Sequence, residues 1–134
     1  MKTNFFLFLS VSALIILGFN SCCKEGTDGD ATLTVYLKHH NTIIENHVSW
    51  PDTVFVKFNA DELPGTNPSD FDAFFVGEAG EDHVHIKNLA CGKYYLYGAG
   101  LDSSGPYRVT GGMGIKIKRK DRKELINVDL SVVE

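Results

Sequence analysis

The sequence predicts an all-β protein whose body is a single antiparallel β-sandwich of about seven strands. Three observations carry this. From residue 31 onward apolar residues recur with a period close to two; no stretch there sustains a 3.6-residue period beyond a turn or two; and Pro, Gly, Asn and Asp interrupt the pattern at roughly ten-residue intervals.

The strand candidates follow in order. In TLTVYLK, Leu33, Val35 and Leu37 alternate with Thr32, Thr34, Tyr36 and Lys38, as a strand with one wet face requires. TVFVKF (53–58), HVHIKNL (83–89), KYYLYGA (93–99), GIKIK (114–118) and LINVDLSVV (125–133) repeat the alternation between turn residues. The glycines of GGMGIK, Gly111 to Lys116, read as a bulge that opens a strand, because the phosphate-loop spacing is absent and no helix follows.

Ahead of this body, Lys2 precedes fifteen residues, Phe5 to Phe19, in which only Ser10 and Ser12 break the apolar run. That layout is a secretory leader, and it falls short of the roughly 20 residues that a spanning helix needs. Leader 1–21, flexible acidic tether 22–30 and sandwich 31–134 are the expected divisions. The tether is polar, rich in Gly and Asp, and lacks apolar periodicity. The body, about 104 residues, is enough to bury its own core.

Charge is unevenly spread. Eight acidic residues lie between Asp52 and Asp82 against the single Lys57, whereas Lys116, Lys118, Arg119, Lys120, Arg122 and Lys123 crowd together, most simply as the solvated turn of a hairpin. The acidic part and the leader argue against a nucleic-acid partner. Three cysteines exclude a disulfide scaffold and a four-thiol zinc cluster. With Cys22 modified, Cys23 and Cys91 can pair, although their spacing does not demand it.

Two stretches resemble known families. FNSC, residues 19–22, resembles the lipobox of bacterial lipoproteins, where a small residue (here Ser21) precedes a cysteine that receives diacylglycerol before cleavage. The resemblance implies lipid attachment at Cys22 and a membrane-anchored place in the cell envelope, at the outer membrane, facing the periplasm or the surface. GEAGEDHVHIKNLACGKYYLYGAG, residues 77–100, resembles the carboxypeptidase regulatory-like and Cna B-type domains, whose fold is a transthyretin-like sandwich. Gly80, Val84, Ile86, Asn88, Leu89, Gly92, Tyr94 and Leu96 fill that pattern, and Cys91 stands where those domains usually have proline. The stretch from Ala60 to Phe75 reads as a long acidic insertion before it.

The candidates for chemistry are few. His83 and His85 share a strand face and are the weak metal candidates, with no third ligand nearby in sequence. Cys91 is the candidate nucleophile of a rival, enzymatic reading. Asp61, Glu62, Asn67, Asp70 and Asp72 offer oxygens for calcium without the EF-hand spacing. Tyr95 and Tyr97 point away from the inward Tyr94 and Leu96, and with Tyr36 and Trp50 they form the candidate ligand-binding face. The expected function is a non-catalytic binding or adaptor module for a protein or glycan partner, with no cofactor.

Overall fold

The computed structural model of the protein describes residues 23–134, so the leader and the lipid-attachment candidate Cys22 lie outside the described residues. The described residues are all-β: eight strands form two four-stranded sheets, with two short 3₁₀ segments at Pro68–Asp70 and Arg119–Asp121. The strands are β1 (Ala31–His39), β2 (Thr42–Ile43), β3 (Thr53–Phe58), β4 (Ala73–Val76), β5 (Val84–Leu89), β6 (Gly92–Asp102), β7 (Tyr107–Ile117) and β8 (Leu125–Val132).

In the first sheet β1 is central. It pairs antiparallel with β5 along Ala31–Val35, antiparallel with β2 at Lys38–His39, and parallel with β8 along Thr32–His39. This one parallel pair departs from the purely antiparallel expectation. It arises because the basic run Lys118–Lys123 crosses from one sheet to the other instead of closing a hairpin. β1 and β2 are joined by His40 and Asn41, both at positive φ, which gives the two-residue loop the handedness that matches strand twist.

The second sheet runs β4-β3-β6-β7, all antiparallel. Ala73–Val76 belongs to it, so the end of the expected acidic insertion is an edge strand whose Ala73 and Phe75 pack on the core. β7 is also longer than GIKIK, and its pairing with β6 runs without a register shift from Gly92↔Ile117 to Asp102↔Tyr107, so the expected glycine bulge is absent. Those glycines serve close approach: a Cβ on Gly111 would lie 2.1 Å from the Ser131 carbonyl oxygen.

The core lies between the sheets, where Leu33, Val35, Leu37, Val54, Val56, Val84, Ile86, Leu89, Tyr94, Leu96, Val109, Ile117 and Leu130 are buried. Alternation along each strand puts these side chains on the two inner faces, and removing their apolar surface from water is the main stabilising contribution.

The segment expected to be a flexible tether is fastened to one end of this core. Cys23 is bonded to Cys91, with Cα atoms 5.0 Å apart. The Gly29 N–H donates to the Asn88 carbonyl at 2.9 Å, the Ala90 N–H to the Gly26 carbonyl at 3.0 Å, and the Lys93 N–H to Glu25 Oε1 at 2.9 Å. The buried Tyr94 hydroxyl donates to the Ala90 carbonyl at 2.8 Å and accepts from the Gly26 N–H at 3.1 Å. Composition alone misses this, because the partners belong to a turn about sixty residues or more away.

Candidate functional site

The four aromatic residues singled out from the sequence do not share one face. Tyr95 and Tyr97 lie on the outer face of the second sheet, whereas Tyr36 lies on the outer face of the first, its ring 5.5 Å from that of His83. The reason is topological: β1 and β6 belong to opposite layers, so their outward residues face opposite ways. Trp50 is 41 % exposed just before β3, with the Arg108 guanidinium 4.1 Å from its ring centre, a cation–π contact that covers one side of the indole.

Around Tyr97 the structure gathers an aromatic group that the sequence only half disclosed. Strand register sets Phe74, Phe55 and Tyr97 opposite one another across β4, β3 and β6. Ring centroids are 6.3 Å apart for Phe55 and Phe74, and 6.4 Å for Phe55 and Tyr97. Phe71, in the loop before β4, stacks on Tyr97 at 5.6 Å with 13° between planes. The row continues onto Gly112 of β7, where a Cβ would collide with the Tyr95 ring, so the face is flat on that side. Phe74 is 64 % exposed and its neighbour on the same face, Val76, is also exposed. Phe55 was legible as the outward residue of TVFVKF, but Phe71 and Phe74 lay in the stretch read as an insertion.

The carboxylates of that stretch do not converge. Asp72 is held by Lys57 Nζ at 3.1 Å and by the Phe58 N–H at 2.7 Å, Asp70 accepts from the Asn67 N–H at 3.0 Å, and Asp61 pairs with Lys93 at 2.6 Å. The calcium candidates are therefore separate local contacts. Cys91 is a disulfide partner, which removes the thiolate that the rival enzymatic reading needs from it.

On the other side, His83 and His85 present their Nε2 atoms 3.0 Å from each other, and Glu81 Oε2 lies 3.6 Å from His83 Nε2. The third ligand not found in the sequence is thus supplied by the turn just before β5. Asp82 Oδ1 is 2.7 Å from His83 Nδ1.

Two further carboxyl groups, Asp102 and Asp52, are placed at the end of the sandwich away from the disulfide. The buried His39 holds Asp102 at 2.7 Å, and this hydrogen bond, helped by Ser104, lowers the Asp102 carboxyl to about 2. Asp52 is 1 % exposed beside Gly100 and Ile44, with neither carboxyl oxygen at hydrogen-bonding geometry to a partner among the described residues. Burial raises it to about 7, and the Leu101 backbone opposes the shift only in part.

No protein-family model, no curated protein and no solved structure matches this chain.

Proposed function

We propose that the protein is a lipid-anchored module of the cell envelope that binds a protein partner, without catalysis, through the outer face of its β4-β3-β6-β7 sheet. The observation that carries this reading is the contiguous aromatic group Phe55, Phe71, Phe74 and Tyr97, whose outermost member Phe74 is largely exposed. Aromatic side chains on a rigid strand surface bring large contact area at small conformational cost, which is why they anchor interfaces. Among the candidate occupants a protein is favoured over a glycan. Three of the four rings are phenylalanines without polar atoms, and the nearest charged pair on that face, Lys57 with Asp72, is already mutually satisfied. Sugar sites need placed donors and acceptors beside the stacking ring.

The envelope location rests on the leader and on Ser21–Cys22, and it draws support from the Cys23–Cys91 bond, since such bonds persist in oxidising compartments. Lys118, Arg119, Lys120, Arg122 and Lys123 belong to the same end of the sandwich as that bond, because Ile117 pairs with Gly92 and Thr32 hydrogen-bonds Glu124. An acyl chain on Cys22 would bring this basic end to the headgroups, where cationic side chains add electrostatic attraction.

Photo-crosslinking in intact cells tests the binding face. With a photoreactive residue at position 74 of the full chain, a protein adduct of discrete mass is expected that is missing when the probe sits at Asp129 on the opposite sheet, and that disappears when Phe55→Ser is added. Equal adducts from both positions, no adduct, or labelling of polysaccharide alone would overturn the assignment.

A further inference from the structure

We infer that Glu81, His83 and His85 form a binding site for one borderline divalent transition-metal ion of the zinc class, on the outer face of the first sheet.

Three donor atoms, one from each residue, all lie within 4.8 Å of one another. Two imidazole nitrogens and a carboxylate oxygen are the donor set that such ions favour. Around a tetrahedral ion with bonds of about 2.0–2.1 Å, neighbouring donors stand roughly 3.3 Å apart. The separations in the structure, 3.0 Å between the two Nε2 atoms and 3.6 Å between His83 Nε2 and Glu81 Oε2, lie on either side of that value. The third edge, from Glu81 to His85, lies within 4.8 Å, and rotation of the partly exposed Glu81 side chain closes it onto the ion. Three protein donors leave a fourth position for water or for a group from a partner.

The tautomers that the hydrogen bonds set for the pair are compatible with an ion. Asp82, a carboxylate, can only accept from His83 Nδ1–H, so in the neutral ring, the form that binds a metal, His83 Nε2 carries a lone pair. The contact between the two Nε2 atoms then requires His85 Nε2–H as donor, which leaves His85 Nδ1 as an acceptor, buried without a partner among the described residues. An ion replaces this single N–H···N contact by two metal–nitrogen bonds and moves the His85 proton to Nδ1. The contact of His83 with Asp82 is retained in both states. It fixes the tautomer and aims the ring, as carboxylates behind metal-bound histidines do.

The backbone that carries the three donors is itself held. Asn46, buried on the connection after β2, donates through Nδ2 to the carbonyls of Glu81 and His83, each at 3.0 Å, and its own N–H donates to the Glu81 carbonyl at 2.9 Å. Asn46 Oδ1 accepts from the Asp52 N–H at 2.8 Å, which ties the loop to the root of β3. His85 lies within β5, paired with Thr34 of β1, and Tyr36 forms a wall beside His83. A site built on a strand and a clamped turn is pre-arranged.

The test is calorimetric titration of the full chain, purified without a histidine tag and stripped with chelator, using ZnCl₂, with CoCl₂ absorption spectra in parallel. One ion per chain is expected, with a tetrahedral cobalt spectrum. Asp82→Asn should weaken zinc binding ~10–100-fold, and His85→Ala and Glu81→Gln should each weaken it, His85→Ala more than Asp82→Asn. His40→Ala should change nothing; His40 belongs to the other described group of donor residues, with His39 and Glu134. Absence of saturable binding at ion concentrations on the order of 1 mM, or binding lost with His40→Ala and kept with His85→Ala in folded protein, would overturn the inference.

Discussion

At the scale of single residues, Asp52 is the most exposed to pH although it is among the least exposed to solvent. Its carboxyl is raised in the folded chain from 3.8 to about 7 by burial. The folded state therefore holds a proton that the unfolded chain has already released between those two values. Stability is fullest below the unfolded value and declines as pH rises through the window, by up to about 4 kcal/mol, since each pKa unit corresponds to 1.36 kcal/mol. Asp102 acts the other way. Its carboxyl is lowered by His39, so its contribution is complete above about 3.8 and is lost as pH falls toward 2. The expected outcome is that urea midpoints of the wild-type chain fall between pH 4.5 and pH 8, and that Asp52→Asn flattens this slope. An unchanged slope in the variant would assign the decline to other groups. None of this was legible in the sequence, where Asp52 was one acid among eight between 52 and 82. The signal that separates it is tertiary: Gly100 and Ile44 close over the carboxyl without offering a donor.

At the scale of elements, the segment 23–30 changes what the amino-terminal region is. Its backbone groups at Gly26 and Gly29, and the Glu25 carboxylate, are hydrogen-bonded to the turn Asn88–Lys93. Gly92, at φ +149°, presents its backbone closely enough that a Cβ would meet the Glu25 carboxylate at 2.6 Å. The disulfide closes a loop of 68 residues' separation, for which chain-entropy reasoning gives about 4 kcal/mol of stabilisation. Replacing both cysteines by serine should lower stability by about that amount. Hydrogen exchange at Gly26, Gly29, Ala90 and Lys93 should accelerate while the β1–β8 amides keep their order of protection. Retained protection at those four amides would mean that the hydrogen bonds alone hold the segment. The alternating strands β1, β3, β5, β6 and β8 were readable because a half-buried strand imposes a period of two on its own residues. The short β2, the edge strand β4 and the first half of β7 were not, because four residues of AFFV and the glycines of TGGMG have no alternation to read; their pairing partners place them.

At the scale of the whole molecule, the two layers divide the surface into faces with different chemistry. The phenylalanine-rich face belongs to one sheet, the histidine group and Tyr36 to the other, and the disulfide with the basic crossover to one end. The sequence placed Tyr95 and Tyr97 outward and paired His83 with His85 on one face, since both follow from strand alternation. It could not bring Glu81 to the histidines or Phe71 and Phe74 to Tyr97, which depend on how a turn and an edge strand return to the sheets. In the proposed arrangement the end nearest the membrane is fixed by chemistry at two neighbouring residues: a lipid on Cys22 and the bond from Cys23 to Cys91. The sandwich would then stand directly on the headgroups, with no free spacer between, and both faces would be turned sideways into the envelope.

The most direct test of that arrangement is mass spectrometry of the mature chain, isolated from membranes and digested without reduction. The expected mature chain begins at Cys22 carrying diacylglycerol and an amide-linked acyl group, in a peptide joined through Cys23 to the peptide that contains Cys91. An unmodified Cys22, a different first residue, or Cys91 found bonded to Cys22 would contradict it.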